Sequence, residues 1–178
     1  SDPVVTDLER SRWGNPDAYT ELGKQYHLLK TNDGYSETGM ASWYGAKFHG
    51  RRTSSGQIFD MYQLTAAHKT LPIPVFAKVT NLRNKKETIV LINDRGPFHA
   101  DRLIDLSFAA AVKLGFHEEG IADVLVETIS YEKDSSLFIR IEGFDRKKEA
   151  LQALEVVKEL SLVPSKIVEN SLAGFDIQ

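Results

Sequence analysis

The segment VFAKVTNLRNKKETIVLINDRGP, residues 75–97, gives the clearest structural signal in the chain. Apolar and polar residues alternate over Val75–Thr80, and the alternation resumes over Glu87–Asn93 after a polar turn, which is typical of two strands in a hairpin. The second strand runs directly into Asp94 and the Gly96-Pro97 turn. A carboxyl group at such a strand end can be held in a fixed orientation, so Asp94 is a candidate acid.

Short predicted elements flank this hairpin on both sides. Met40–Tyr44 alternates and predicts a first strand. Ser107 is a candidate N-cap for a helix over Phe108–Leu114, and Gly115 is placed to end that helix. Ile121–Ile129 predicts a closing strand. The sequence therefore predicts a mainly β domain with short helices over residues 38–131.

The two ends of the chain differ from this middle part. Residues 1–37 show no sustained periodicity and predict an extended lead-in that packs on the core through Tyr19, Leu22, Tyr26 and Leu28. Residues 132–178 begin with a polar linker. A strand over 137–141, a helix capped at Asp145 and ended by Pro164, and a strand over 166–168 would make this part a small βαβ unit.

Composition excludes several classes of protein. A chain of 178 residues with 42% hydrophobic residues can bury one core and a small additional unit. No apolar run approaches the roughly 20 residues that a membrane-spanning helix needs. The net charge of −3 provides no general footprint for nucleic acid. The absence of cysteine excludes disulfides and thiolate chemistry and leaves the compartment open.

Three carboxylates and one histidine are the acid-base candidates: Asp60, Asp94, Asp105 and His68. Asp94 could have its pKa set by burial beside Arg95, but it could also be a turn residue that bonds its own backbone. Asp105 precedes a helix and could serve only the helix dipole. His68 lies in a segment with neither a strand nor a helix pattern, and a single histidine is often a packing residue.

Aromatic residues offer flat faces that suit a sugar ring, and four of them are candidates for substrate binding: Trp43, Tyr44, Phe48 and Tyr62. Strand alternation places Trp43 and Tyr44 on opposite faces, so one can pack in the core while the other lines a groove. The spacing of the histidines fits no common metal site, so no metal or cofactor is expected. A serine-hydrolase elbow and a phosphate-binding glycine loop are also missing.

Seven motifs, in this order, resemble the rare lipoprotein A family of bacterial cell-wall proteins, and the resemblance covers roughly residues 12–130. They are Ala41-Ser-Trp-Tyr-Gly45, Phe48-His-Gly-Arg51, Leu64-Thr-Ala-Ala-His-Lys-Thr-Leu-Pro72, Val79-Thr-Asn-Leu82, Asn93-Asp-Arg-Gly-Pro-Phe98, Arg102-Leu-Ile-Asp-Leu-Ser107 and Ala109-Ala-Ala111. The resemblance implies a six-stranded double-psi β-barrel. The last 40 or so residues more weakly resemble half of a SPOR domain, a glycan-binding unit.

The same resemblance implies a function. It suggests a lytic transglycosylase that acts on peptidoglycan strands stripped of stem peptides, without a cofactor. It also implies an outer-membrane lipoprotein that faces the periplasm and works at the septum with cell-division proteins, its lipid anchor lying outside this sequence. Similarity to other double-psi glycan-cleaving enzymes suggests Asp94 as the acid and base, with His68 and position 57 assisting and with Asp60, Asp105 and Arg95 in support.

One residue departs from the family pattern. Gln57 follows Gly56 where the family has glutamate. An amide keeps the shape of the acid but cannot transfer a proton near neutral pH. The chain could therefore be a naturally attenuated enzyme or a non-catalytic glycan-binding module that acts as expansins do, or its glutamate could have been replaced by glutamine to trap a glycan. A separate alternative is a septal scaffold whose barrel binds partner proteins. A scaffold would show an exposed apolar patch in place of a polar groove.

Overall fold

The computed structural model describes residues 2–99 and 101–131, together with three short strands within residues 141–177. Residues 1–131 form one compact unit and residues 132–178 form another. In the described part of the chain, no helix is both long enough and apolar enough to cross a membrane.

The described residues contain eleven strands, one α-helix and one 3₁₀ helix at Ala46–Phe48. In chain order these are β1 Ala18–Glu21, β2 Lys24–His27, β3 Ser36–Tyr44, β4 Thr65–His68, β5 Val75–Asn81, β6 Glu87–Asp94, β7 Arg102–Ser107, α1 Phe108–Leu114, β8 Ile121–Ile129, β9 Ile141–Phe144, β10 Ile167–Asn170 and β11 Gly174–Ile177.

Six of these strands close into a barrel in the order β3-β7-β4-β6-β5-β8. The β3–β7 and β4–β6 pairs are parallel, whereas the other ladders in the barrel are antiparallel. Closure leaves no free sheet edge, which protects a small β domain from edge-to-edge association. The expected mainly β, six-stranded barrel is confirmed.

The barrel interior is filled by apolar side chains from its strands. On β5 and β6, the buried residues include Ala77, Val79, Val90 and Ile92, each with 0% exposure. Ala77 pairs with Val90 across the predicted hairpin, so the two strands present one apolar face to the core. The local alternation was therefore sufficient to predict this hairpin.

The helix α1 packs against β3, β6 and β7, and it begins and ends as predicted. The Ser107 hydroxyl accepts a hydrogen bond from the Ala110 N–H at 3.2 Å, which satisfies a donor that the first turn leaves free. Gly115 ends the helix at φ 71°, a left-handed conformation that glycine adopts without strain. Ala110, Ala111 and Leu114 are buried against the barrel.

Two barrel strands were not predicted. β4 is only four residues long and is buried along most of its length, so it shows no alternation. β7 directly precedes α1 and was recognised only as a motif. Each pairs with strands distant in sequence, and such long-range pairing leaves little local signal.

The lead-in is partly structured. β1 and β2 pair as an antiparallel hairpin, which was not predicted. Tyr26 is buried as expected, and its ring stacks on Tyr19 at 5.2 Å between centroids. The expectation for Leu22 is wrong, because this side chain is 78% exposed at the hairpin turn.

The C-terminal unit contains an antiparallel sheet in the order β10-β11-β9. β10 overlaps the predicted strand over 166–168, whereas β11 was not predicted. Of the predicted strand over 137–141, only Ile141 is described. The predicted helix that begins after Asp145 lies outside the described residues. The half-SPOR interpretation of this unit stays a prediction.

Candidate functional site

An open groove of about 810 Å³ lies on the barrel unit beside the end of β6. We call it the Asp94 groove. Among its lining residues are six that the sequence singled out: Trp43, Tyr44, Phe48, Asp94, Arg95 and Asp105. The groove therefore combines acids, a guanidinium group and aromatic rings.

Strand register brings the two carboxylates of this groove to one face. Ala67 on β4 pairs with Asp94 on β6 and, on its other side, with Asp105 on β7. Residues directly opposite each other on paired strands point to the same face of a sheet. Two strand spacings separate the backbones of the acids by roughly 10 Å. Because Ala67 is small, the space between the carboxylates stays open.

One oxygen of Asp94 is fixed by the surrounding backbone. Its Oδ1 accepts hydrogen bonds from the Ser54 N–H at 2.8 Å, the Ser54 hydroxyl at 2.7 Å and the Arg95 N–H at 2.8 Å. No described residue hydrogen-bonds Oδ2, and this oxygen is not buried. Asp94 thus has one anchored oxygen and one oxygen available to a molecule in the groove.

Asp105 is more enclosed than Asp94. Its Oδ1 accepts a hydrogen bond from the Ser42 hydroxyl at 2.6 Å, and its Oδ2 lies 3.2 Å from Nη2 of Arg102. Burial raises the pKa of Asp105, while the Ser42 hydrogen bond and the Arg102 charge oppose that shift. Since both oxygens already have partners, Asp105 is less available to a substrate than Asp94 is.

An aromatic wall forms part of the lining of the groove. Tyr44 stacks on Phe59 with ring centroids 4.3 Å apart, and Phe48 meets Tyr44 edge-on at 5.8 Å. The Tyr44 hydroxyl is buried without a hydrogen-bond partner among the described residues. Burial, with Asp94 and Asp105 nearby, raises the pKa of Tyr44 far above its usual range.

Strand alternation predicts that Trp43 lies either in the core or in the groove, but Trp43 contacts both. Its indole packs on the core cluster and donates to the His117 carbonyl at 3.1 Å, and its ring also reaches the edge of the Asp94 groove.

Arg95 connects three parts of the chain under the groove. Its guanidinium donates to the carbonyls of Gly14, His68 and Leu71 at 2.8, 3.1 and 2.6 Å, and to Asn15 Oδ1 at 3.1 Å. Burial lowers the pKa of Arg95 to about 10, which leaves it charged near neutral pH. The guanidinium therefore supports the floor of the site and has little capacity left for a ligand.

Three of the predicted site residues line a second cavity of about 690 Å³, namely Gln57, Asp60 and Tyr62. Gln57 Oε1 accepts a hydrogen bond from Nδ2 of Asn93 at 2.6 Å. Asn93 precedes Asp94, and it lines the second cavity whereas Asp94 lines the first. Position 57 is thus linked to Asp94 through one neighbouring residue and is not a wall of the Asp94 groove.

His68 does not line the Asp94 groove. It is 2% exposed and borders a third cavity, of about 310 Å³, beside Lys69 and Arg102. Its Nδ1 accepts from the N–H groups of Thr70 and Leu71 at 3.2 and 3.1 Å, so Nε2 carries the proton of the neutral ring and donates to the Tyr35 hydroxyl at 3.0 Å. Burial, with the charges of Arg95 and Lys69, lowers the pKa of His68 to about 3.

Residues 36–126 match a family model described as "Lytic transglycolase", which is a double-psi β-barrel model. The match begins with β3, ends within β8 and covers more than half of the chain. This chain belongs to the lytic transglycolase family.

Similar curated proteins agree with the resemblance to rare lipoprotein A. An "Endolytic peptidoglycan transglycosylase RlpA" from Vibrio cholerae is 49% identical over 157 residues, which is 88% of this chain and 56% of that protein. The protein of the same name from Pseudomonas aeruginosa strain UCBPP-PA14 is 58% identical over 111 residues, 62% of this chain and 33% of that protein. The chain thus spans about half or less of the length of these relatives.

Two solved structures are also similar to this lytic transglycolase family member. A Streptomyces papain inhibitor superposes with a TM-score of 0.47 at 23% identity, covering 57% of this chain and all of that one. An expansin from Clavibacter michiganensis, solved with cellohexaose, superposes with a TM-score of 0.43 at 16% identity, covering 54% of this chain and 51% of that one.

Within the described part of this lytic transglycolase domain, no group of three or more His, Asp or Glu side chains is arranged to hold a metal ion.

Sequence reasoning missed four polar residues of the site, Ser54, Lys47, Arg51 and Arg52. Ser54 lies in the irregular loop after the first predicted strand, and such loops on small β domains often carry function. The three cations border the Asp94 groove and belong to, or adjoin, the Phe48–Arg51 motif. Their role depends on the closed barrel, which places that loop opposite the end of β6.

Proposed function

We propose that this domain is an endolytic peptidoglycan lytic transglycosylase that cleaves the bond between N-acetylmuramic acid and N-acetylglucosamine. Asp94 carries the proposal, because it lines a groove that also holds aromatic rings, with Oδ1 held by three donors and Oδ2 bonded to no described residue. The names of the Vibrio and Pseudomonas relatives support the reaction and the substrate class.

In the proposed mechanism Asp94 acts first as an acid. It gives its proton to the bridging oxygen as positive character develops on the sugar ring, and the glycosidic bond breaks. The resulting carboxylate then takes the proton of the muramyl 6-hydroxyl, whose oxygen bonds to the anomeric carbon and closes a 1,6-anhydro ring. One carboxyl group serves both steps, so no water is consumed.

The aromatic wall and the second acid have supporting parts in this proposal. Tyr44 and Phe48 offer apolar surface to the faces of the sugar rings, and Trp43 extends that wall. Asp105 lies across Ala67 from Asp94 and adds negative charge on the side where the oxocarbenium character develops. Asp60 and Tyr62 border the second cavity and would meet more distant sugars of the strand.

His68 and Arg95 have positioning roles in the proposal. His68 bonds the backbone after β4, and Arg95 bonds the carbonyls of His68 and Leu71. Together they hold the end of β4 against the strand end that presents Asp94. His68 therefore acts on catalysis through the backbone, without touching the substrate.

Removing the Ser54 hydroxyl is expected to lower turnover while leaving the Michaelis constant unchanged. The Ser54→Ala variant keeps the backbone donor to Asp94 but loses the 2.7 Å hydroxyl donor. Loss of one hydrogen bond to a charged group costs about 1.5 kcal/mol, which corresponds to about a 10-fold lower kcat. Steady-state kinetics on soluble glycan strands would measure it.

Ser55→Ala is the matched control for Ser54→Ala. The Ser55 hydroxyl contacts Thr53 Oγ1 at 3.0 Å and has no bond to Asp94. If both variants turn over at the same rate, the Ser54 hydroxyl has no part in positioning the acid.

A second candidate function is a binding module that holds glycan without cleaving it, as a cell-wall loosening module or a septal scaffold. Gln57 favours it, because the family has glutamate at this position. The hydrogen bond from Asn93 to Gln57 would also form with a carboxylate, so the substitution leaves the local structure intact. We therefore propose, more specifically, that this chain is a transglycosylase whose activity is attenuated by Gln57.

Gln57→Glu is expected to raise turnover by at least about 10-fold, because a positioned acid-base group typically contributes about 10²-fold or more. The new carboxyl group would stand one residue from Asp94, bonded to Asn93. Gln63→Glu adds the same charge to the same cavity and is the control. Equal rates for the Gln57→Glu and unmodified proteins would limit position 57 to its hydrogen bond with Asn93.

The test of the whole proposal is a product analysis. Peptide-free peptidoglycan strands are incubated with the unmodified protein and with Gln57→Glu, and soluble products are identified by mass. Products with 1,6-anhydromuramyl ends support the transglycosylase, whereas reducing ends would show hydrolysis. Glycan binding without any product would favour the binding module.

We extend the proposal to location, since peptidoglycan lies in the bacterial cell envelope. The protein would work in the periplasm at the septum, attached to the outer membrane through a lipid anchor outside this sequence and in contact with cell-division proteins. The resemblance to rare lipoprotein A supports this part.

A further inference from the structure

The Asp94 groove carries an excess of positive charge on a chain whose net charge is −3. Five basic side chains line it, against the two carboxylates of Asp94 and Asp105. They are Lys47, Arg51, Arg52, Arg95 and Arg102. A neutral sugar polymer would not require such a concentration of cations, so the charge indicates an anionic group on the ligand.

Two of the five cations are already committed. Arg95 is occupied by backbone carbonyls, as described above, and Arg102 is paired with Asp105 at 3.2 Å. Lys47, Arg51 and Arg52 take part in no salt bridge among the residues that the structure describes. These three side chains, which we call the cationic rim, are free to bind an anion.

The cationic rim is held in place by an aromatic ring and a loop carbonyl. Lys47 Nζ lies 5.0 Å and Arg51 Cζ 5.7 Å from the centre of the Phe48 ring. Nη1 of Arg52 donates to the Gly56 carbonyl at 2.9 Å. Phe48 meets Tyr44 edge-on, so the rim adjoins the aromatic wall on which sugar rings would lie.

We propose that the cationic rim binds the free lactyl carboxylates of N-acetylmuramic acid, which makes Lys47, Arg51 and Arg52 the residues behind the preference for peptide-free strands that the family resemblance implies. This inference rests on the proposed function, because it names the chemical group that the same groove recognises. A guanidinium matches a carboxylate with two parallel hydrogen bonds. When a peptide is attached, the carboxylate becomes an amide, which removes the charge and adds bulk at the mouth of the groove.

The experiment compares two strand preparations that differ only at the lactyl group. One is peptide-free peptidoglycan with native carboxylates, and the other is the same material after carbodiimide coupling to methylamine. Binding is measured with the Asp94→Asn form, which prevents cleavage and leaves the rim unchanged. Three variants are made in this background. One carries both Arg51→Gln and Arg52→Gln, the second carries Lys47→Gln, and the third carries the control substitution Arg83→Gln.

Arg83 is the matched control because it is an exposed arginine outside the Asp94 groove, paired with Glu119 near the β5–β6 turn. The Arg52→Gln change in the double variant removes a hydrogen bond to the loop, so a loss of binding could come from a change in the loop. Lys47→Gln tests the charge without that change, since Lys47 has no hydrogen bond to the described residues. Thermal unfolding of each variant checks that the barrel is intact.

With the rim intact, native strands are expected to bind about 30-fold more tightly than amidated strands, because a hydrogen-bonded charge pair is worth about 2 kcal/mol. In the double arginine variant, the ratio of the affinity for native strands to the affinity for amidated strands should fall to about 3 or less. The fall should come from weaker binding of the native strands alone. Lys47→Gln should lower the ratio by a smaller factor, and Arg83→Gln should leave it unchanged.

Equal affinity for the two preparations with the rim intact would overturn the inference, as would a ratio that survives the double arginine substitution. Either result leaves the proposed function standing if the protein with Asp94 produces anhydromuramyl ends. Conversely, if that protein makes no such ends, the proposed function fails while the binding ratio still decides whether the rim recognises carboxylates.

Discussion

Replacing Asp94 by asparagine is expected to lower turnover on peptide-free strands by about 1,000-fold while strand affinity changes by less than about 3-fold. Acid-base assistance is worth 10²–10⁴ in rate, and here one group serves both proton transfers. Asparagine keeps an oxygen for the Ser54 donors, so the loop should remain in place. The loss would therefore appear in kcat and not in binding.

Mass analysis of anhydromuramyl products, together with equilibrium binding, would measure this split. Asp123→Asn on β8 is the control, because it removes an exposed carboxylate outside the groove. A variant at Asp94 that retains a tenth or more of the activity would exclude this residue as the acid. In that case Asp105, whose pKa is raised by burial, becomes the next residue to replace.

Local sequence patterns were enough to predict the elements whose stabilising contacts lie close together in the sequence. The β5–β6 hairpin has alternation on both strands, and α1 has a serine cap, a buried face and a terminal glycine. Each of these signals lies within about 20 residues. The predicted strands therefore coincide with β5, β6 and β8 nearly to the residue.

The barrel itself could not be derived from such patterns. Its closure depends on β4 and β7, which pair with each other and with strands up to about 60 residues away. A four-residue buried strand has no alternation that a sequence reader can detect. The double-psi topology came instead from resemblance to a family, which the match over residues 36–126 confirms.

The same limit applies to the site. Residue type identified Asp94, Asp105, Tyr44 and Phe48, and the structure brings them to one groove. Residue type alone could not show that Gln57 lines a different cavity from Asp94. Gln57 is bonded to Asn93, and Asn93 and Asp94 are consecutive residues of a strand, which point to opposite sides of the sheet. Nor could residue type show that Ser54 is the side chain that holds Asp94.

Acidification below about pH 6.5 is expected to destabilise the protein through His68. The folded chain holds this ring neutral, with a pKa near 3, whereas an unfolded histidine titrates near 6.5. Between these values the unfolded state binds one proton more than the folded state, so stability falls as the pH falls. The contribution is about 1.4 kcal/mol per pH unit inside the window, and at most about 5 kcal/mol over the whole of it.

Protonation is unfavourable because both ring nitrogens already have fixed roles. A proton on Nδ1 would face the N–H groups of Thr70 and Leu71, which are donors themselves. The ring would also become a buried cation near Arg95 and Lys69. Acid should therefore release the segment after β4 together with the contacts that Arg95 makes to it.

The free energy of unfolding, measured with urea at pH 7.5, 5.5 and 4.5, would test this for the unmodified protein and for His68→Asn. Asparagine can still accept from the backbone but cannot take up a proton, so the variant should be less stable at pH 7.5 and lose less stability with acid. The difference in slope should approach 1.4 kcal/mol per pH unit between pH 6 and pH 4. Parallel slopes would mean that His68 titrates in the folded protein as it does in the unfolded chain, and its role as a neutral backbone anchor would then be wrong.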